Sequence, residues 1–162
     1  PMQAFAALYA ALDETTRTSE KVAAMARYFA AAPPADAAWA LYFLSGRKPR
    51  QVISTRRLSD WAIAAAGIPA WLFSECYDAV GDFAETVALL LPEGSAGGGS
   101  EGLAYWIEER LLPLRGADEA AQREALLRAW DELDGPGRFL WNKLLTGGLR
   151  VGVSQRLVTR AL

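Results

Sequence analysis

A chain of 162 residues with 52% hydrophobic content is the right size for one domain whose core buries about 70% of the surface the unfolded chain exposes. It has no histidine and one cysteine, Cys76, which excludes a Ser-His-Asp or Cys-His nucleophile, most transition-metal sites and a disulfide framework. The net charge is −2, and no run approaches the roughly 18 apolar residues of a membrane helix, so a soluble, cytoplasmic protein is expected.

In chain order the sequence predicts helices throughout. Met2 to Leu12 carries Phe5, Leu8, Tyr9 and Leu12 on one side, and Asp13 to Thr16 breaks it. Thr16 or Thr18 should cap the next helix, which runs to about Ala31 with Val22, Met25, Tyr28 and Phe29 inward. Pro33-Pro34 stops it. Asp36 favours the start of a third helix, with Trp39, Leu41, Tyr42 and Leu44 on its inner face, and the basic loop Arg47-Lys48-Pro49-Arg50 follows Gly46.

Ser54 should cap a helix to Ala66, closed by Gly67. Pro69 opens another through Val80, and Asp82 to Leu91 completes that pair. Trp61, Trp71, Phe73, Tyr77 and Phe83 could stack on bases, but among Leu and Ala at helical spacing they read as core, as does Cys76. Pro92 to Ser100 is a glycine-rich loop without the Gly-Lys-Ser/Thr ending of a nucleotide-phosphate loop, so it is a poor ATP site.

Gly102 to Leu112 and Asp118 to Leu133 form an acidic helical pair that buries Leu103, Trp106, Ile107, Leu111, Leu126, Leu127 and Trp130. Its adjacent carboxylates, Glu108-Glu109 and Asp131-Glu132, point about 100° apart on a helix and read as solvated faces rather than acid–base or magnesium pairs. Asp134 to Gly137 is a turn, and Arg138 begins a helix ending near Gly147 or Gly148, where a left-handed cap is needed. A last helix starts at Ser154. Leu162 closes the chain inside it without a stop signal, and Pro1 ahead of Met2 reads as a residue left by expression, so a piece of a longer chain is expected.

The charge is unevenly distributed. Residues 1–59 hold eight Lys/Arg against four Asp/Glu, residues 60–134 four against fifteen, and residues 135–162 five against none: +4, −11 and +5. Local field decides what a surface attracts, and a Debye length of about 8 Å hides an acidic middle that faces away. Each basic run is attached to a glycine-containing hairpin. Between Thr146 and Ser154 lie Gly147, Gly148, Gly152 and one cation, Arg150; absent Cβ atoms, free helix N-terminal N–H groups and a fixed charge together suit a phosphodiester backbone. Leu44-Ser45-Gly46 followed by Ile53-Ser54-Thr55-Arg56-Arg57-Leu58 parallels Leu145-Thr146-Gly147 followed by Val153-Ser154-Gln155-Arg156-Leu157. The parallel suggests an internal pseudo-two-fold repeat of helix-hairpin-helix units whose serine-capped N-termini share one face and grip both strands without base contacts.

The run Lys143 to Leu162, with its Gly-Gly-Leu-Arg-Val-Gly-Val-Ser core, resembles the end of the N-terminal DNA-binding domain of ATP-dependent DNA ligases, in the form found in bacterial enzymes. Thr15-Thr16-Arg17-Thr18 with Lys21, Ser45-Gly46-Arg47, Ser54 to Leu58, Trp61, Trp71-Leu72-Phe73 and Val80-Gly81-Asp82 also fit that family's pattern, so the resemblance covers nearly all of residues 1–162. The family's adenylated lysine lies in a Lys-x-Asp-Gly motif, and Lys21, Lys48 and Lys143 all have other successors.

The resemblance implies a single all-α domain without catalytic residues, cofactor or metal of its own, in a parent ligase that uses ATP and magnesium in DNA repair, replication and recombination. It would lie along the minor groove of nicked duplex DNA as a monomer, beside adenylation and OB-fold domains of the same protein, in a bacterial cytoplasm at the nucleoid. Arg17, Lys21, Gly46, Arg47, Gly148, Arg150 and Gly152 are the leading backbone contacts, followed by Lys48, Thr146, Arg56 and Arg156. The alternatives are a helix-hairpin-helix DNA repair module, since Gly-Leu-Arg-Val-Gly is loosely hairpin-like, and a helical protein-interaction domain working through its acidic face. Salt-insensitive duplex binding would favour the latter.

Overall fold

The computed structural model describes residues 1–94 and 99–162, and all regular structure among them is helical. The helices are α1 (Met2–Glu14), α2 (Thr18–Ala31), α3 (Pro34–Leu44), α4 (Thr55–Ala66), α5 (Ala70–Val80) and α6 (Phe83–Leu90). They continue as α7 (Leu103–Tyr105), a π-helical stretch Trp106–Leu111 and a 3-10 turn Leu112–Leu114, then α8 (Glu119–Glu132), α9 (Gly135–Thr146) and α10 (Gln155–Ala161). Residues 95–98 of the glycine-rich loop lie outside the described residues. No described helix is long and apolar enough to cross a membrane.

Local chemistry sets most boundaries. Ser54, Asp82, Asp118, Asp134 and Ser154 each accept the backbone N–H three residues on, stabilising each helix start by about 1 kcal/mol. The second helix departs from expectation: neither Thr16 nor Thr18 caps it, and Arg17 is its N-cap without a side-chain acceptor. The Thr15 hydroxyl serves the turn instead, accepting the Arg17 N–H at 3.1 Å and donating to the Glu20 carboxylate.

Asp36 lies in the first turn of α3, where an acidic side chain favours a helix start, and it is buried. Its Oδ1 accepts the Ala104 N–H at 2.9 Å, so a carboxylate on α3 caps α7 across the interior. Gly102 allows this approach, because a Cβ there would overlap the carboxylate. The buried face of α3 is therefore Asp36, Ala40, Phe43 and Leu44, at spacings of four, seven and eight. Tyr42 is exposed, while Trp39 and Leu41 are only half-buried. A hydropathy pattern does not count an aspartate as inward, so it finds Leu44, with Trp39 and Leu41 at the edge of the core, but omits Asp36 and takes in the exposed Tyr42.

Helix α9 is the centre of the core. Leu140, Trp141, Asn142, Leu144 and Leu145 are all buried, and the helix packs against α1 and α6. Trp141 meets Trp106 edge to face at 5.4 Å, and Trp130 Nε1 donates to Asn142 Oδ1 at 2.8 Å. Trp61, Phe73 and Phe83 are core as expected, but Trp71 is 67% exposed, and Tyr77 and Cys76 are half-buried on the peripheral α5.

The acidic pair holds one further departure. Glu132 is not a solvated face: its carboxylate accepts from Arg110 at 2.8 Å and from Arg128 at 3.0 Å, while the Arg110 guanidinium also stacks on Trp106 at 4.4 Å. Burial alone would raise the Glu132 pKa, but these hydrogen bonds and charges hold it below the ordinary 4.5. A depressed carboxylate contributes stability that is present above pH 4.5 and is lost as pH falls through its lower folded value. Glu132→Gln should therefore lower Tm at pH 7 by roughly 2–4 °C, an effect on the order of 1 kcal/mol. Melting curves from pH 7 to 3 should show this gap closing in acid; a gap independent of pH would remove the charge from the account.

Candidate nucleic-acid interface

Three segments distant in sequence meet through hydrogen bonds. The first is the loop leaving α9. Gly147 closes the helix in the left-handed region, with φ of 69°, and the Gly148 N–H returns to the Lys143 carbonyl at 2.9 Å. The Thr146 hydroxyl donates to the Asn142 carbonyl at 3.0 Å and accepts from the Gly148 N–H at 3.3 Å, so it shapes the turn from within. Beyond it Leu149 is buried, Val151 and Val153 are half-buried, and Arg150 and Gly152 are exposed. This alternation, the signature of extended chain, anchors the loop on every second residue and turns Arg150 to solvent.

The second segment joins α3 to α4 and is anchored by buried residues without strict alternation. Pro49, Val52 and Ile53 are buried, while Arg47, Lys48 and Arg50 are exposed. Gly46, with φ of 91°, makes the turn that opens it. The two loops touch: the Val52 N–H donates to the Leu145 carbonyl at 3.2 Å, and the Gly147 backbone packs against Pro49 and Gln51. The third segment is the start of α2, where Lys21 donates to the Gly152 carbonyl at 2.8 Å. Arg17, one turn earlier, is exposed and only loosely paired with Glu20 at 3.7 Å.

Arg56 and Arg156 stand two residues beyond their serine caps and are exposed. The two capped helices have different surroundings, since α10 lies along α2 and touches α3, whereas α4 packs on α5. Arg47, Lys48, Arg50, Arg56, Arg150 and Arg156 form no ion pair among the described residues. Of the other cations, Arg57 donates to Gln122 at 2.9 Å and lies 3.9 Å from Glu119, and Lys143 holds Asp82 at 2.7 Å, while Arg115, Arg123 and Arg160 are exposed and form no ion pair among the described residues. Arg47, Lys48, Arg50 and Arg150 thus gather their charge on two loops that touch, beside the start of α2.

The whole chain, residues 1–162, matches the family described as DNA ligase N terminus. It belongs to that family. No curated protein matches the chain. The loops tied together around Gly147, Gly152 and Val52 thus belong to a ligase N-terminal domain, for which a DNA-binding role follows and DNA and the other ligase domains are the partners.

Sequence reasoning missed Arg50 as a contact candidate. It had the signal in hand, because Pro49 between two pairs of cationic or polar neighbours is the anchor that turns Arg50 outward. It also gave Lys21 and Thr146 only the role of contacts, whereas both spend hydrogen bonds on the α9 loop itself.

Proposed function

We propose that this ligase N-terminal domain holds duplex DNA, nicked in its working state, by phosphate contacts along the minor groove without reading sequence. The supporting observation is the set of exposed cations without an ion pair, Arg47, Lys48 and Arg150, on two adjoining loops joined by the Val52–Leu145 backbone bond, the loop leaving α9 being clasped by Lys21 at Gly152. Arg47, Lys48, Arg150 and Arg17 would meet phosphates as charges. Gly46, Gly148 and Gly152 would let the backbone approach, and Arg56 and Arg156 would flank the serine-capped helix starts. Lys21 keeps two N–H groups for DNA after bonding Gly152, and Thr146 acts by shaping the turn. The two capped helices would serve opposite strands as a pseudo-two-fold pair. In the parent ligase, adenylation and OB-fold domains would complete the grip and supply the ATP- and magnesium-dependent chemistry, in a monomeric bacterial enzyme of repair, replication or recombination.

Two measurements test this reading. Arg150→Ala should weaken binding equally for unrelated duplexes and lower the slope of log affinity against log salt by roughly one unit, as one fewer counterion is released. Stability should change by only about 0–1 kcal/mol. An unchanged slope with a lowered Tm would make Arg150 structural. Incubated with labelled ATP and magnesium, the domain should acquire no covalent adenylate, because none of its three lysines lies in Lys-x-Asp-Gly; a labelled band would sink that part of the reading.

A further inference from the structure

A second basic site lies one helical turn and more down α9 from the DNA-facing loop. A cavity of about 180 Å³ opens between α6 and the first half of α9, walled by apolar side chains of α6 and by Phe139, with Glu93, Gly135, Arg138 and Asn142 supplying its polar groups. Arg138 is only 6% exposed and has no hydrogen-bond acceptor or ion pair among the described residues. Asn142 is fully buried; its Oδ1 is used by Trp130, but its Nδ2 has no acceptor. Burial pushes the Arg138 pKa down, and the more distant charge of Glu93 offsets this only in part.

A largely buried arginine without a protein partner is costly, and so is a buried amide N–H left unbonded; natural interiors rarely keep both in one place. Every unspent group in the enclosed part of this cavity is a donor. The Arg138 fork presents parallel N–H groups suited to two oxygens of one anion, the Asn142 amide adds a third direction, and the apolar walls strengthen all of them. The one carboxylate in the lining, Glu93, is exposed at the mouth, beside Gly135. We propose that this cavity is a binding site for a small oxyanion of phosphate size, held by Arg138 and Asn142, with Glu93 at the entrance setting its affinity.

The site is separate from the DNA-facing loops, so the test must tell the two apart. Inorganic phosphate is titrated against the ¹⁵N-labelled domain at ionic strength held constant with potassium chloride, while side-chain N–H signals and Tm are followed. The Asn142 side-chain amide should shift in a saturable way, and Tm should rise with phosphate in the wild type and in an Arg47→Ala/Arg150→Ala variant alike. The rise should vanish in Arg138→Met. Glu93→Gln, which removes the only negative charge of the lining without touching the core, should saturate at a several-fold lower phosphate concentration. An unmoved Asn142 amide overturns the site, even should Arg138→Met fail to fold. Loss of the Tm rise in the Arg47/Arg150 variant would assign the phosphate to the DNA-facing loops, and weaker binding in Glu93→Gln would make Glu93 a partner of Arg138 and not a gate; either overturns the proposal.

Discussion

Reversing Arg47 and Arg150 together to glutamate is expected to reduce duplex binding by roughly 10²–10⁴-fold while leaving the helical content and Tm nearly unchanged. Hydrogen bonds between charged groups contribute about 1.5–3 kcal/mol each, so losing two contacts removes roughly 3–6 kcal/mol before any repulsion is counted. Both side chains are exposed and unpaired, and neither is needed to anchor its loop, which rests on Pro49, Val52 and Leu149. Fluorescence anisotropy on two unrelated duplexes, with circular dichroism on the same samples, checks both halves. Retained affinity would move the interface elsewhere, and a collapsed Tm would show that the loops depend on these charges for their shape.

Trp141→Ala should be the most damaging single truncation in the domain. The side chain is fully buried on α9 and packs edge to face on Trp106, so its removal leaves a large cavity beside a second tryptophan. Phe or Trp to Ala in a core costs about 3–5 kcal/mol, roughly a fifth or more of a typical domain's total stability. Trp71→Ala, by contrast, truncates a side chain that is 67% exposed and should cost only about 0.5 kcal/mol or less. Urea denaturation of the two variants gives the comparison directly; equal midpoints would contradict the central position of α9.

These two tryptophans also mark what the amino-acid order makes legible. Both sit in helices beside leucine, and a helical period identifies each helix, but the depth of a residue depends on which element lies over it. Trp141 meets Trp106 of the π-helical stretch on a helix that packs against α1 and α6, whereas α5 packs against α4 and α6 and leaves Trp71 exposed. Starts and stops were readable because capping is local: Ser54, Asp82, Ser154, Gly67 and Gly147 act within four residues of where they stand. Asp36 could not be read, because its partner is Ala104 on another helix. The π-helical winding of Trp106–Leu111 was equally hidden, since an apolar pattern over two turns does not separate it from an α-helix.

The candidate interface divides along the same line. Its glycines, serines and cations lie in contiguous runs and could be found by inspection. The Lys21 bond to Gly152 and the Val52 bond to Leu145 could not, because sequence distance carries no information about which carbonyl a lysine will reach. Arg138 escaped notice for a related reason. As a cation at the start of α9 it looks like part of a basic run, and only the fold reveals that it is buried without an ion pair, with the Glu93 charge at a greater distance.

Lys21 and Gly152 are 131 residues apart. On a ribosome adding about 5–20 residues per second, roughly 7–26 s pass between the synthesis of one partner and the other. During that interval α1 and α2 can pack on each other, yet the clasp on the α9 loop has nothing to close on. The face that would meet DNA is therefore assembled last, so a nascent chain carries its basic residues as a loose, unshaped charge until the domain is all but complete.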